Sequence, residues 1–263
     1  MSTAEAEVAC DVLWSLGVVA IEERVADGNV ELWTSLGDDP GVARLAATRC
    51  LERWPWRFVD IDETVADTWR DHASAVHIDE DLVICPAWVP FEPPVGVTVL
   101  RIEPGATFGL GDHPTTVLSM RAIRAALVSG ATVLDVGCGS GVLAVGACVL
   151  GASRATAIDI APAAVPTTQA NASANGVADR VHVSTTPLSH IGECFDLVVA
   201  NILAPTLIEL ADDLHRVLAP TGVLIISGVL ANRHEHVEAA LRPLRRTRRD
   251  TLDGWAAVTL RTP

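Results

Sequence analysis

The segment Val133-Leu134-Asp135-Val136-Gly137-Cys138-Gly139-Ser140-Gly141 limits what this chain can fold into more than any other. A short apolar run enters a glycine-rich turn, and the turn opens an apolar helix over Gly141–Leu150. In an open α/β sheet, ligands sit at the carboxyl ends of strands, where glycines let the backbone come close. A second run, Ala157-Ile158-Asp159-Ile160, ends on an acid 18 residues after Gly141. That is near the offset of about 20 residues at which a strand-end carboxylate takes a ribose hydroxyl. The surrounding pattern agrees. Strands are expected at 132–136, 155–158, 181–184, 197–200 and 223–227, with a final pair around Arg248 and over 255–260. Helices are expected at 163–175, 204–218 and 232–241. Strands alternating with helices imply an α/β fold whose parallel sheet is covered on both faces.

Two cofactors compete for such a loop. A dinucleotide site reads G-x-G-x-x-G, but here the third glycine comes one position early. The missing residue matters, because that loop must wrap a pyrophosphate at a helix N-terminus. Asp135 would face a pyrophosphate as a like charge, whereas it suits a cation. Asp-x-Gly-x-Gly-x-Gly followed by a strand-end acid resembles the S-adenosylmethionine site of Rossmann-like methyltransferases. A glycine turn with no ligand is the remaining alternative.

Two further segments lie near this loop in the expected topology. Phe108-Gly109-Leu110-Gly111-Asp112-His113-Pro114-Thr115-Thr116 precedes a helix expected over 117–127. Capping by Thr115 or Thr116 accounts for one threonine but not for the glycines and the phenylalanine ahead of them. Asn201 follows the strand at 197–200, on the cofactor side of the sheet. Methyltransferases acting on bases often carry Asn/Asp-Pro-Pro-aromatic there. Ile202-Leu203-Ala204 supplies no platform for stacking a flipped base.

Composition narrows the partners. The formal charge is −14, and all 19 basic residues are arginine. An acidic chain lacks the footprint of a nucleic-acid binder and favours a basic partner. Arg242, Arg245, Arg246, Arg248 and Arg249 are expected in a solvated helix-to-strand turn. The six cysteines form no C-x-x-C pair and read as buried, reduced thiols, and no metal site is expected. No run approaches the ~18 apolar residues of a membrane span, and Met1–Asp11 lacks the basic start of a secretory signal. A cytoplasmic location is expected.

Residues 1–61 read as a small α/β domain. It has a helix at 4–16, strands at 18–21 and 30–34, a second helix from Asp39-Pro40-Gly41 to Leu51, and a strand at 56–61. Six of the seven tryptophans lie in the first 90 residues and are expected to be packing residues. Residues 62–98 read as a linker holding one strand, 82–85, and residues 99–263 as the ligand-binding domain.

Taken together, the residues resemble the bacterial ribosomal protein L11 methyltransferase family, PrmA. The matching segments are 103–116 (Glu103 to Thr116), 135–144 (Asp135 to Ala144), 157–160 and 198–204, in that order and spacing. The F-G-x-G-x-H-P-T-T loop combined with A-N-I-L-A is the specific part. The resemblance implies a Rossmann-like seven-stranded methyltransferase sheet behind a small ferredoxin-like α+β domain that recognises substrate. It implies S-adenosyl-L-methionine as cofactor, with Thr116, Gly137, Asp159 and Asn201 at contact positions and Gly139 and Gly141 in the same loop. Phe108 and Gly111 would belong to a loop covering the cofactor, and Asn201 would be the catalytic residue, aiming the amine. It implies ribosomal protein L11 as partner, methylated on a lysine ε-amine or the α-amine by a monomeric enzyme. Two departures stand out. Leu110 replaces the family's usual threonine, and Met1–Asp11 runs straight into the first helix, with no counterpart for the first ferredoxin-like strand. These departures leave open a different protein lysine or a small amine as substrate, and a protein that binds the cofactor without turnover.

Overall fold

The inner strands of a seven-stranded sheet are apolar on both faces and find helices on both, whereas its two edge strands are more exposed. The structure, a computed structural model, describes residues 1, 3–15, 18, 22–26, 29–34, 44–45, 47–48, 51, 53–58, 73–105 and 110–263. The chain divides into two units, Met1–Thr68 and Trp69–Pro263.

In the first unit, helix α1 (Thr3–Ser15) buries Ala6, Ala9 and Leu13, spaced three and four apart along one face. Strands β1 (Glu22–Ala26) and β2 (Asn29–Trp33) form an antiparallel hairpin closed by the pair Ala26↔Asn29. On the other edge of β2, Met1 and Val30 exchange both backbone hydrogen bonds, at 2.8 and 3.1 Å. Of the strand expected at 18–21 only Val18 lies within the described residues, and it is not strand. Glu22-Glu23-Arg24 reads as a polar connection, yet its pairing with Glu31–Trp33 makes it strand. Residues 44–45 and 47–48 are helical, within the expected second helix, most of which lies outside the described residues. Residues 56–58 are not strand. Trp54 is buried as expected, but Trp56 is 37% exposed and edge-on to Phe58.

The second unit holds β3 (Val76–His77), β4 (Leu82–Pro86), β5 (Thr98–Ile102), α2 (Pro114–Ala126), β6 (Thr132–Val136), α3 (Val142–Val149), β7 (Arg154–Ile158), α4 (Ala164–Ala174) and β8 (Val181–Ser184). A 3-10 turn (Leu188–His190) leads to β9 (Phe195–Asn201), α5 (Ala204–Glu209), α6 (Ala211–Arg216), β10 (Leu218–Leu230), α7 (Glu235–Ala240), β11 (Arg245–Leu252) and β12 (Trp255–Arg261). The large sheet has the order β11-β12-β10-β9-β6-β7-β8. Only β12 runs antiparallel to its neighbours. From β6 the chain winds outward to β7 and β8, then crosses back to β9 on the other side of β6. This reversal opens a crevice at the carboxyl ends of β6 and β9, the ligand position in doubly wound sheets.

The two faces follow the alternation of the strands. Val133, Ala155, Ala157, Leu197, Val199, Val223 and Ile225 face the core that contains α2, α3 and the small sheet β3-β4-β5. Leu134, Val136, Ile158, Val198, Ala200, Leu224 and Ile226 face the core of α5, α6 and α7. Residues Val142 to Cys148 of α3 are all buried, so that helix is apolar all round. The stretch 62–98, read as a linker, is from residue 73 part of this unit. Every residue of β4 is buried, and Ile78, Leu82 and Ile84 lie in the core.

Three other expectations change. The helix expected over 204–218 breaks at Leu210 (φ −87°, ψ 5°), where no glycine or proline marks the break. Strand β10 starts at Leu218, which pairs with Phe195 ahead of the strand expected at 223–227, with a register shift between Leu218 and Val223. The arginine cluster is split, Arg242 lying in the expected turn and the rest in a longer version of the strand expected around Arg248. Arg245, Arg246, Arg248 and Arg249 lie in edge strand β11, held there by pairing with β12. Their charges and exposure guard an open edge. Cys85, Cys138 and Cys148 are buried free thiols, and burial pushes Cys148 up to about 11, but Cys194 is exposed.

Candidate functional site

The glycine loop leaves β6 and immediately turns over the end of β7. The Gly137 and Cys138 N–H groups donate to the Ile158 carbonyl at 2.8 and 3.1 Å. Gly137, Gly139 and Gly141 all adopt positive φ, at 75°, 52° and 77°. At Gly141 a Cβ would meet Thr168 Cγ2 at 2.5 Å, so neither the backbone angle nor the space admits a side chain. Asp159, half-buried at the end of β7, completes the turn. Its Oδ2 accepts the Gly139 N–H at 2.8 Å and its Oδ1 accepts the Ala161 N–H at 2.9 Å. Each carboxylate oxygen keeps a lone pair for a further donor such as a ribose hydroxyl.

Asp135 lies under this loop. Period two along β6 points it, like Val133, toward α3, where it is 1% exposed. Its Oδ2 accepts the Ala144 N–H at 3.1 Å, and its Oδ1 is buried without a hydrogen-bond partner. Burial pushes this carboxyl up to about 7; the Asp159 charge adds to the shift and the Ala144 N–H opposes it. Ala144 is in the first turn of α3, whose free N–H groups are what a bound phosphate would use. Asp135 already takes one of them, which leaves fewer donors for a pyrophosphate and suits a phosphate-free cofactor. The donor set therefore fits S-adenosylmethionine better than a dinucleotide.

Asn201 ends β9 and pairs in register with Ser227 of β10. It is half-buried, and its side chain has no hydrogen-bond partner among the described residues. Helix α2 begins beside it, because Ser227 Oγ donates to the Thr115 carbonyl at 3.2 Å. Thr116 is thus buried in the first turn of α2 at this end of the sheet. The cap of α2 is His113, not a threonine. Its Nδ1 accepts the Thr115 N–H at 3.3 Å and lies 2.8 Å from Thr115 Oγ1. Its ring stands edge-on to Trp255 with centroids 5.2 Å apart. Burial holds its pKa below the usual histidine range, so it is a neutral cap at physiological pH. Gly111 is buried against Ile84. Phe108 lies outside the described residues.

The structure therefore gathers Gly137, Gly139, Gly141, Asp159, Asn201 and Thr116 at the carboxyl ends of three adjacent parallel strands and the start of α2. It adds residues that sequence reasoning passed over. Gly228 (φ 81°) sits where β10 changes register between Ile226 and Val229. A Cβ there would stand 2.4 Å from the Ile202 carbonyl oxygen, so Gly228 lets the chain after Asn201 lie directly on β10. A glycine inside an apolar strand is the available signal for such a bulge. Trp255 reaches the site only because β12 begins at this end of the sheet, which no local pattern reveals.

A family model described as ribosomal protein L11 methyltransferase (PrmA) matches residues 48–263. A protein of that name from Citrifermentans bemidjiense is 40% identical over 208 residues, covering 77% of this chain and 68% of its own length. One from Heliobacterium modesticaldum is 37% identical over 242 residues, covering 87% of this chain and 76% of its own length. The crystal structure of a ribosomal protein L11 methylase from Lactobacillus delbrueckii subsp. bulgaricus superposes with a TM-score of 0.67 at 32% identity. It covers 72% of this chain and 98% of that one.

Proposed function

This chain belongs to the ribosomal protein L11 methyltransferase (PrmA) family, and on that premise we propose that it transfers methyl groups from S-adenosyl-L-methionine to amino groups of ribosomal protein L11. The targets are a lysine ε-amine, the N-terminal α-amine, or both. The observation that carries the reading is the convergence of the glycine loop, the Asp159 carboxylate and Asn201 at the strand ends where the strand order reverses.

When bound, the cofactor would supply an electrophilic methyl on a sulfonium, whose C–S bond breaks as the N–C bond to a neutral amine forms, releasing the thioether. Asp159 would hold the ribose hydroxyls, and the loop Gly137–Gly141 would let the backbone lie against the ligand. A lysine amine has a reference pKa of roughly 10.4 and must shed its proton before it can attack. A nearby positive charge and a drier site lower that value. Asn201 accepts a hydrogen bond from the amine through its side-chain oxygen and aims the lone pair, so its contribution is orientation. His113 is not needed as a base, since its Nδ1 is engaged in capping α2. The net charge of −14 favours a basic protein substrate. On this reading the Met1–Thr68 unit recognises the substrate and the Trp69–Pro263 unit transfers the methyl group. The enzyme acts as a monomer in the cytoplasm and on protein, not on nucleic acid.

The test is the intact mass of unmethylated ribosomal protein L11 after incubation with this protein and S-adenosylmethionine. A ladder of methyl-sized increments that disappears with Asn201→Ala is expected. An unchanged mass, with the cofactor bound, would overturn L11 as the substrate.

A further inference from the structure

Helix α4 presents two asparagines one turn apart, Asn171 and Asn175, to the open edge of β5. On its other edge β5 is paired with β4. Each asparagine amide stands in for a missing neighbouring strand. Asn175 Oδ1 accepts the Arg101 N–H at 2.9 Å, and its Nδ2 donates to the Arg101 carbonyl at 2.7 Å. Asn171 does the same two residues on, with the Glu103 N–H at 2.9 Å and the Glu103 carbonyl at 2.8 Å. The spacing is that of one strand face met by one helix face.

The two amides differ in burial, Asn175 being a half-buried C-cap, and in where the remaining N–H goes. The second N–H of Asn171 Nδ2 donates to the Ser140 carbonyl at 2.9 Å, inside the glycine loop, whereas that of Asn175 donates back to Asn171 of its own helix. Asn171 is 2% exposed, so none of its bonds can be exchanged for water. One turn earlier on the same helix, Thr168 Oγ1 donates to the Gly139 carbonyl at 3.2 Å. Helix α4 thus draws two consecutive loop carbonyls toward itself. The Ser140 peptide group lies between Gly139 and Gly141, both at positive φ, where local preference alone does not select one orientation. The side chain that fixes that orientation also fixes the start of the 103–113 segment leading to α2.

We propose that Asn171 is a positioning residue for the cofactor: its one amide locks the Ser140 peptide of the glycine loop to Glu103 at the exit of β5, so that cofactor affinity depends on Asn171 and not on its twin Asn175. The proposal rests on the methyltransferase reading above. It concerns the loop's readiness, since Asn171 itself need not touch the ligand.

Asn175 is the control, because it makes the same pair of bonds to the same strand without reaching the loop. Asn171→Ser and Asn175→Ser are compared in the full chain by titration calorimetry with S-adenosylmethionine, by thermal melting, and by methyl transfer to L11. Both variants are expected to melt below the unchanged protein. Only Asn171→Ser is expected to weaken cofactor binding, by about tenfold for a lost buried hydrogen bond. It raises KM for the cofactor by the same factor and leaves kcat and the KM for L11 near their starting values. Equal cofactor affinity in the two variants would overturn the proposal, as would a kcat loss at unchanged affinity. If Asn171→Ser does not fold, Thr168→Val removes the adjacent loop contact and must show the same affinity-only loss; unchanged affinity there overturns the proposal. Failure of the unchanged protein to bind S-adenosylmethionine is a separate result, and it would overturn the functional reading beneath the proposal.

Discussion

Replacing Asp135 by asparagine tests the electrostatics of the crevice where they are most strained. The carboxyl is fully buried, has one hydrogen bond and one unpartnered oxygen, and is raised from 3.8 to about 7. An acid with a raised folded-state pKa binds more protons folded than unfolded between the two values. Stability is therefore lost as pH climbs through that window, and the loss is complete above the folded pKa. From pH 5 to about 7 this amounts to about 3 kcal/mol, at 1.36 kcal/mol per pH unit. Asp135→Asn keeps an oxygen for the Ala144 N–H and removes the titration. The assay is urea unfolding of both proteins at pH 5, 6, 7 and 8. Titrations elsewhere occur in both proteins and cancel in the difference. The variant is expected to gain on the parent by about 3 kcal/mol across the series, with the gain levelling off above pH 7. A difference that stays within about 0.5 kcal/mol from pH 5 to pH 8 would show that the carboxyl is not strained as its burial implies.

Other outcomes follow from neighbouring contacts. Asp159→Ala removes the acceptor of two backbone N–H groups and of the ribose hydroxyls, so calorimetry should show cofactor affinity falling by about a hundredfold or more, as for two lost charge-assisted bonds. Unchanged affinity would refute the site. Gly228→Ala puts a Cβ 2.4 Å from the Ile202 carbonyl oxygen at positive φ, so methyl transfer should drop more steeply than cofactor binding, read by comparing kcat with Kd. Phe195, fully buried where β9 meets Leu218 of β10, should cost about 3–5 kcal/mol in urea unfolding when truncated to alanine.

What could be read without coordinates was whatever short-range chemistry imposes. A strand running into Gly137-Cys138-Gly139-Ser140-Gly141 and the strand-end Asp159 are local, and local sterics allow few alternatives. Strand-helix alternation implied a sheet covered on both faces, and Val133 and Leu134 do face opposite cores. The N-terminal unit was less legible, because β1 is strand through its pairing with β2 and not through its own residues. At β11 a strand is expected around Arg248, but its extension back to Arg245 depends on pairing with β12. The break at Leu210 carries no residue that marks it.

The sequence by itself determined the α/β class, the ligand end of the sheet and the glycine loop with its strand-end acid. Tertiary structure alone decided how those residues are held. Asn171 joins Ser140 to Glu103 across 31 and 68 residues of sequence separation. Gly228 lies under Ile202, and His113 meets Trp255 only when the last strand inserts antiparallel beside β10. The physical reason is range. Backbone angles, caps and periodicity are set by neighbours a few residues away, whereas a buried amide takes whichever partners the packed elements bring within about 3 Å of it.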